Sequence, residues 1–168
     1  LFYGCYIETN DPFLVIVSAN RKGGIMKLLQ LLESKQGQTV TMPPSGSVAE
    51  AIRAMHEHEV GSVVIVSAEQ QPLGIFTERD VMRLCANGEG GKLTELAVKN
   101  HMTTDVIKGS PDDSVDSVLN LMTERHFRRL PVVVDGKLIG LVSIGDLVKA
   151  KMEEIALEAE TLREYITS

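Results

Sequence analysis

Gly74-Ile75-Phe76-Thr77-Glu78-Arg79-Asp80 and Gly140-Leu141-Val142-Ser143-Ile144-Gly145-Asp146 are one heptapeptide written twice, 66 positions apart. Glycine and aspartate are kept, the hydroxyl passes from Thr77 to Ser143, and apolar residues replace apolar ones. Upstream the repetition continues at an offset of 67. Ser47, Val48, Met55, Glu57 and Val66 return as Ser114, Val115, Met122, Glu124 and Val133, and a one-residue gap in the following turn accounts for the change. A duplication on this scale predicts two copies of one supersecondary unit. Their matching faces are expected to pack about a pseudo-two-fold axis that creates paired clefts, with a hydroxyl and a carboxylate at each.

Around this element the chain reads as β-α-β-β-α, twice. Thr39–Met42 is a short strand closed by Pro43-Pro44. Ser47 with Glu50 forms a capping box ahead of a helix that turns Val48, Ala51, Ile52 and Met55 to one side. Val63–Val66 and Leu73–Thr77 are strands, a helix follows over 78–86, and Asn87-Gly88 stops it. In the second copy the strand Val106-Ile107 precedes a helix over 114–125 with Val115, Val118, Leu119 and Met122 inward. Strands at 130–134 and 138–143 are joined through the hairpin signal Asp135-Gly136, and a helix runs from 144. Ile25, Leu28, Leu29 and Leu32 mark an earlier amphipathic helix ending near Gly37, and Leu93–Val98 reads as a short connecting helix. The fold class is therefore α/β (α+β), made of two pseudo-symmetric β-α-β-β-α repeats. Residues 1–37 are an N-terminal extension and helix, 38–92 and 93–152 the repeats, and 153–168 a helical tail.

Composition narrows the classes. The chain has 168 residues, is 43% apolar and 24% charged, and carries a net charge of −6. That is one soluble-type domain or a joined pair of small ones, neither of which alone buries a comfortable core. The acidic balance disfavours generic binding to nucleic acid or to anionic membranes. No apolar run approaches the ~20 residues of a membrane helix. The apolar stretch at 13–17 lacks the basic flank of a signal peptide. Cys5 and Cys85 are the only cysteines and have no CxxC spacing, which points to a reducing cytoplasm rather than a disulfide framework or metal site.

In the last segment Val148, Met152, Ile155, Ala159, Leu162 and Ile166 alternate spacings of four and three. Such a seam serves a second helix, or else a tail folded back on its own chain. Both readings stand at this stage.

The two Gly-h-h-[Thr/Ser]-x-x-Asp elements, the run His126-Phe-Arg-Arg-Leu-Pro-Val-Val133 and Met102-Thr103 give residues 38–152 a clear resemblance to the CBS-domain pair, or Bateman module. The resemblance implies a non-catalytic regulatory module. Its ligands are adenosyl nucleotides (AMP, ADP, ATP, NAD or S-adenosylmethionine), bound in clefts between the repeats and signalled to a partner. It also implies that one site combines Thr77, Arg79 and Asp80 with Thr103, Val106 and Ile107. The other combines Ser143 and Asp146 with Thr39 and Val40, the apolar strand residues sandwiching adenine. Arg128 and Arg129 stand where the family places phosphate-binding residues, whereas Gly61 and Ser62 occupy the matching positions of the first repeat.

The chemistry of the residues agrees with that role. A ribose offers two vicinal hydroxyl donors, and one fixed carboxylate can accept from both. The competing reading of Asp80 and Asp146 is a first-turn carboxylate serving the helix dipole. For the arginines it is solvation or pairing with nearby carboxylates. Catalytic patterns are weak. His56 and His58 project to nearly opposite sides of a helix, and the residue that would complete His-Glu-x-x-His is Val60. Gly88–Lys92 fails as a phosphate loop and reads as a flexible linker. No metal site is indicated. Two rival classes remain, a structural dimerisation module with degenerate pockets and a nucleotide-hydrolysing enzyme. A sensor lacking an output domain between 38 and 152 implies a homodimer and a separate effector protein.

Overall fold

A computed structural model describes residues 25–35 and 39–167. The expected apolar patch and loop before residue 25, and the helix end near Gly37, lie outside the described residues. The chain divides into two compact units. The first comprises residues 39–106. The second joins 25–35 to 107–167.

In the first unit, β1 (Thr41–Met42) runs parallel to β2 (Ser62–Val66), which pairs antiparallel with β3 (Pro72–Thr77). Helices α2 (Val48–Glu57) and α3 (Glu78–Ala86) pack on this sheet and bury Val48, Met55 and Leu84 with Val63, Ile65 and Phe76. Ser47 caps α2 as its sequence predicts, accepting from Glu50 N while the Glu50 carboxylate accepts from Ser47 N. At the far edge Thr103 bridges Ile75 by two backbone hydrogen bonds of 3.0 and 2.9 Å.

The second unit repeats the plan. It contains α4 (Val115–Arg125), β4 (Arg129–Val134), β5 (Lys137–Ser143) and α5 (Ile144–Thr167). β4 and β5 form the hairpin expected at Asp135-Gly136, whose φ values of 49° and 78° place both residues in the left-handed region that such a turn requires. Val115, Val118, Met122, Leu130, Val142 and Leu147 form its core. Register shifts fall at Ile65/Val66 and at Val132/Val133, corresponding positions of the two copies.

The structure departs from the sequence expectations in three places. First, α1 (Leu28–Ser34) is not part of a separate extension. Leu28 and Leu31 enter the core of the second unit, and its first amides donate to the carbonyls of Asp113 and Pro111. Leu29 is 40% exposed and Ile25, which precedes the helix, is 73% exposed, so of the expected side Leu28 and Leu32 face the core, joined by Leu31, while Ile25 and Leu29 do not. The contact division of the described chain falls at 106/107.

Second, residues 93–98 do not form a helix. The Leu93 and Leu96 carbonyls, which a helix would have used internally, accept instead from Ala49 N and Val48 N at the start of α2. Only short 3-10 turns at Gly90–Lys92 and Val98–Asn100 remain, the first of them within the stretch expected to be a flexible linker. Third, Val106-Ile107 is not a strand. The pairing that matches β1–β2 is a single bridge between Gly109 and Val132. Of the two readings left open for the tail, folding back is not the one adopted. Helix α5 is continuous through the boundary expected at 152/153, and Met152, Ile155, Leu162 and Ile166 are all more than half exposed.

Two glycines let a neighbouring segment lie close against the sheet. A Cβ on Gly74 would stand 2.6 Å from Met102 Sδ and 2.7 Å from the Thr103 carbonyl oxygen, and one on Gly140 would stand 2.6 Å from Leu32 Cδ2. The first obstacle includes backbone, whereas the second is the tip of one side chain. Gly74→Ala should therefore cost roughly 1–3 kcal/mol of stability and Gly140→Ala distinctly less. Urea denaturation of both variants checks the order, which equal losses would contradict.

Candidate functional site

Each heptapeptide spans the end of a strand and the first turn of a helix, and that junction sets the site. Thr77 ends β3 with extended backbone and stands at the N-cap of α3. Its amide and its hydroxyl both donate to Asp80 Oδ2, at 2.8 and 2.7 Å. Ser143 does the same for Asp146 Oδ2 at 2.8 and 2.7 Å, and Asp146 N returns a bond to Ser143 Oγ at 3.2 Å. The capping reading of these aspartates is therefore correct as far as it goes. One oxygen of each carboxylate, Oδ2, serves the helix start, and each carboxylate also takes a cation.

Those partners differ. Asp80 is 3% exposed, and its Oδ1 accepts from Arg83 Nη2 at 2.6 Å. Arg83 lies one turn along the same helix, and its side chain is 61% exposed. Asp146 is half-buried, and its Oδ2 accepts a further bond from Lys35 Nζ at 2.9 Å. Burial alone pushes the Asp146 carboxyl up. The Ser143 hydroxyl, the Lys35 ammonium and the Ser143 amide outweigh it and hold the group below its ordinary value of 3.8.

The remaining candidates fall into place by unit. Thr103 and Val106 fold with Thr77, Arg79 and Asp80 in the first unit, Thr103 exposed at the β3 edge and Val106 half-buried. Ile107, 38% exposed, belongs to the second unit. Arg79 is exposed and makes no ion pair with any described residue. Arg129 lies directly across the β4–β5 pair from Ser143, where Ser62 lies across from Thr77. This register bears out the sequence alignment of Arg128-Arg129 with Gly61-Ser62. Arg128 is exposed, and its carbonyl accepts from Ile144 N at the start of α5. Thr39 and Val40 precede β1 in the first unit, with the Val40 carbonyl accepting from Val64 N, whereas Ser143 and Asp146 lie in the second.

Beside Asp80 is a small recess of about 170 Å³, lined by Arg83, Leu84, Asn87, Glu89, Asn100, His101 and Met102. Small-molecule sites usually begin near ~300 Å³, so the recess is undersized while Arg83 holds its present place. Among the described residues, no group of three His, Cys, Asp or Glu side chains is placed to hold a metal ion. Nor is any described helix long and apolar enough to cross a membrane.

Sequence reasoning missed Lys35 and Arg83. Arg83 was within reach of the i,i+3 rule on a helix that was placed correctly. Lys35 reaches Asp146 across 111 residues of chain, and nothing local announces it.

Comparisons agree with this architecture. The CBS domain family matches at residues 37–87 and 98–153, and the chain belongs to that family. A CBS domain-containing protein of Bacillus subtilis is 35% identical over 68% of this chain and 80% of its own length. A mitochondrial CBS domain-containing protein of Arabidopsis thaliana is 35% identical over 80% of this chain and 66% of its own. Among solved structures, a CBS-domain containing protein from Agrobacterium tumefaciens superposes with a TM-score of 0.69 at 36% identity. It covers 75% of this chain and 99% of the other. The fold is thus a tandem CBS pair, a regulatory type of module, as the duplicated heptapeptide implied.

Because the Asp146 carboxyl is held down in the folded state, its contribution to stability is complete above about pH 4 and is lost as pH falls through the depressed value. The melting-temperature gap between the wild type and Asp146→Asn should be constant near neutrality and shrink as pH falls below about 4. Scanning calorimetry across that range checks it, and a gap unchanged to the acid limit of folding would contradict it.

Proposed function

We propose that this CBS pair is a non-catalytic sensor that binds adenosyl nucleotides through Asp80 and Asp146 and passes occupancy to a partner protein. The observation that carries the reading is the matched pair of carboxylates, each fixed at a strand-to-helix junction by a hydroxyl and an amide. A carboxylate so held is oriented in advance, and a vicinal diol can donate to it without any rearrangement of the helix start. Thr77 and Ser143 add a hydroxyl at each position. Arg79, Arg128 and Arg129 supply cations for phosphate. Cys85 is an exposed free thiol, which suits a reducing compartment such as the cytoplasm.

The cations already seated on both carboxylates, together with the small recess at Asp80, favour the rival reading of a structural module with degenerate pockets. Calorimetric titration with AMP, ATP, NAD and S-adenosylmethionine separates the two. The sensor requires saturable binding of at least one. Asp80→Asn and Asp146→Asn should then each weaken a binding event by roughly 1.5–3 kcal/mol, about tenfold to more than a hundredfold. Heats indistinguishable from dilution with all four would leave the structural role.

Self-association is the companion proposal. Beyond Lys151 the seam residues of α5 are exposed, and burying Met152, Ile155 and Leu162 against a second copy would contribute roughly 1.5–3 kcal/mol each. In a parallel pair, Glu158 of one copy would approach Arg163 of the other, the g-to-e′ arrangement that favours such helices. Sedimentation of the full chain and of a version ending at Lys151 should show a dimer weakened by truncation. A monomer in both cases would remove the proposal.

A further inference from the structure

The Asp146 carboxylate holds a cation that does not belong to its own helix. Lys35 Nζ lies 2.9 Å from Asp146 Oδ2 and 2.9 Å from the Leu141 carbonyl oxygen. It thus donates to Leu141 as the Thr103 amide donates to Ile75, the corresponding strand residue of the first unit. Its helix is anchored, since Leu28 and Leu31 are in the core and Leu32 lies against Gly140. Lys35 and Asp146 are 26% and 25% exposed. At Asp80 the cation is Arg83, at 61% exposure, which can swing into solvent without moving the backbone.

The cations on the two carboxylates are therefore held to different degrees. Asp146 Oδ2 already accepts three hydrogen bonds, from Ser143 N, Ser143 Oγ and Lys35 Nζ, whereas Oδ1 accepts none among the described residues. A diol that uses both oxygens must loosen Lys35. A neutral nucleoside leaves that ammonium, in a half-buried place, with the Leu141 carbonyl as its remaining acceptor among the described residues, and losing a charged partner there is costly. A ligand that brings its own phosphate offers the ammonium a new counter-charge within reach of a four-carbon stem.

We propose that Lys35 is a specificity-determining residue of the Asp146 site, admitting phosphorylated adenosyl ligands and discriminating against neutral nucleosides. The inference rests on the sensor reading given above. It makes the second site selective through a segment that precedes both repeats, whereas the cation at the first carboxylate is the largely exposed Arg83.

The test uses the full chain carrying Asp80→Asn, which weakens the first site, titrated calorimetrically with AMP and with adenosine. AMP should bind more tightly. Adding Lys35→Met should lower the AMP-to-adenosine affinity ratio by about tenfold, with adenosine gaining and AMP losing, as expected for one charge-assisted contact. Lys35→Arg should keep most of the preference, which separates loss of charge from disturbance of α1, and circular dichroism confirms that each variant is folded. A ratio within about twofold of the Asp80→Asn parent, with both ligands still binding, would overturn the role of Lys35. Absence of binding to the unmutated chain would instead overturn the sensor reading itself.

Discussion

A carboxylate in the first turn of a helix, accepting the amide and the hydroxyl of the residue that ends the preceding strand, fixes each half of this molecule. The bond pair Thr77–Asp80, and likewise Ser143–Asp146, decides where β3 and β5 stop and where α3 and α5 start. Gly74 and Gly140 sit three residues before those hydroxyls and keep the sheet bare enough for a covering segment to approach. Loss of the junction would therefore disturb the helix start, the covering segment and the presentation of the carboxylate together. The element is short, and in this chain it has been kept twice.

Much of this was legible because it is local. The helix over 78–86, the capping box at Ser47 and Glu50, and the turn at Asp135-Gly136 follow from residues within a few positions of one another. The repetition itself was legible because the two copies preserve spacing as well as chemical class. Residues whose partners are distant in sequence were not. Leu93–Val98 has helical periodicity, yet its carbonyls are taken by the amides that open α2, a competition no window of the sequence displays. The same holds for α1, which precedes the first repeat and packs into the second unit.

The site divides along the same line. Its hydroxyls and carboxylates were readable from motif spacing, and the strand register bears out the correspondence of Arg129 with Ser62. The cations seated on the carboxylates were not foreseen, and they make the two halves unlike. Arg83 belongs to an intrahelical pair in which the arginine is largely exposed and the carboxylate buried. Lys35 is tied to a packed segment and to a strand carbonyl. A duplicated framework thus carries two chemically distinct ends.

The central claim is that the carboxylates at the two strand-to-helix junctions receive the ribose of an adenosyl ligand. Amide chemical shifts of isotopically labelled protein, followed by nuclear magnetic resonance during titration with AMP, test it most directly. The Thr77 and Ser143 amides both donate to the carboxylate in question and report any new hydrogen bond to it. The account predicts that these two amides and those of Asp80 and Asp146 are among the most strongly shifted, saturating together with the calorimetric signal. Saturable shifts confined to other surfaces, with all four of these amides unmoved, would contradict it.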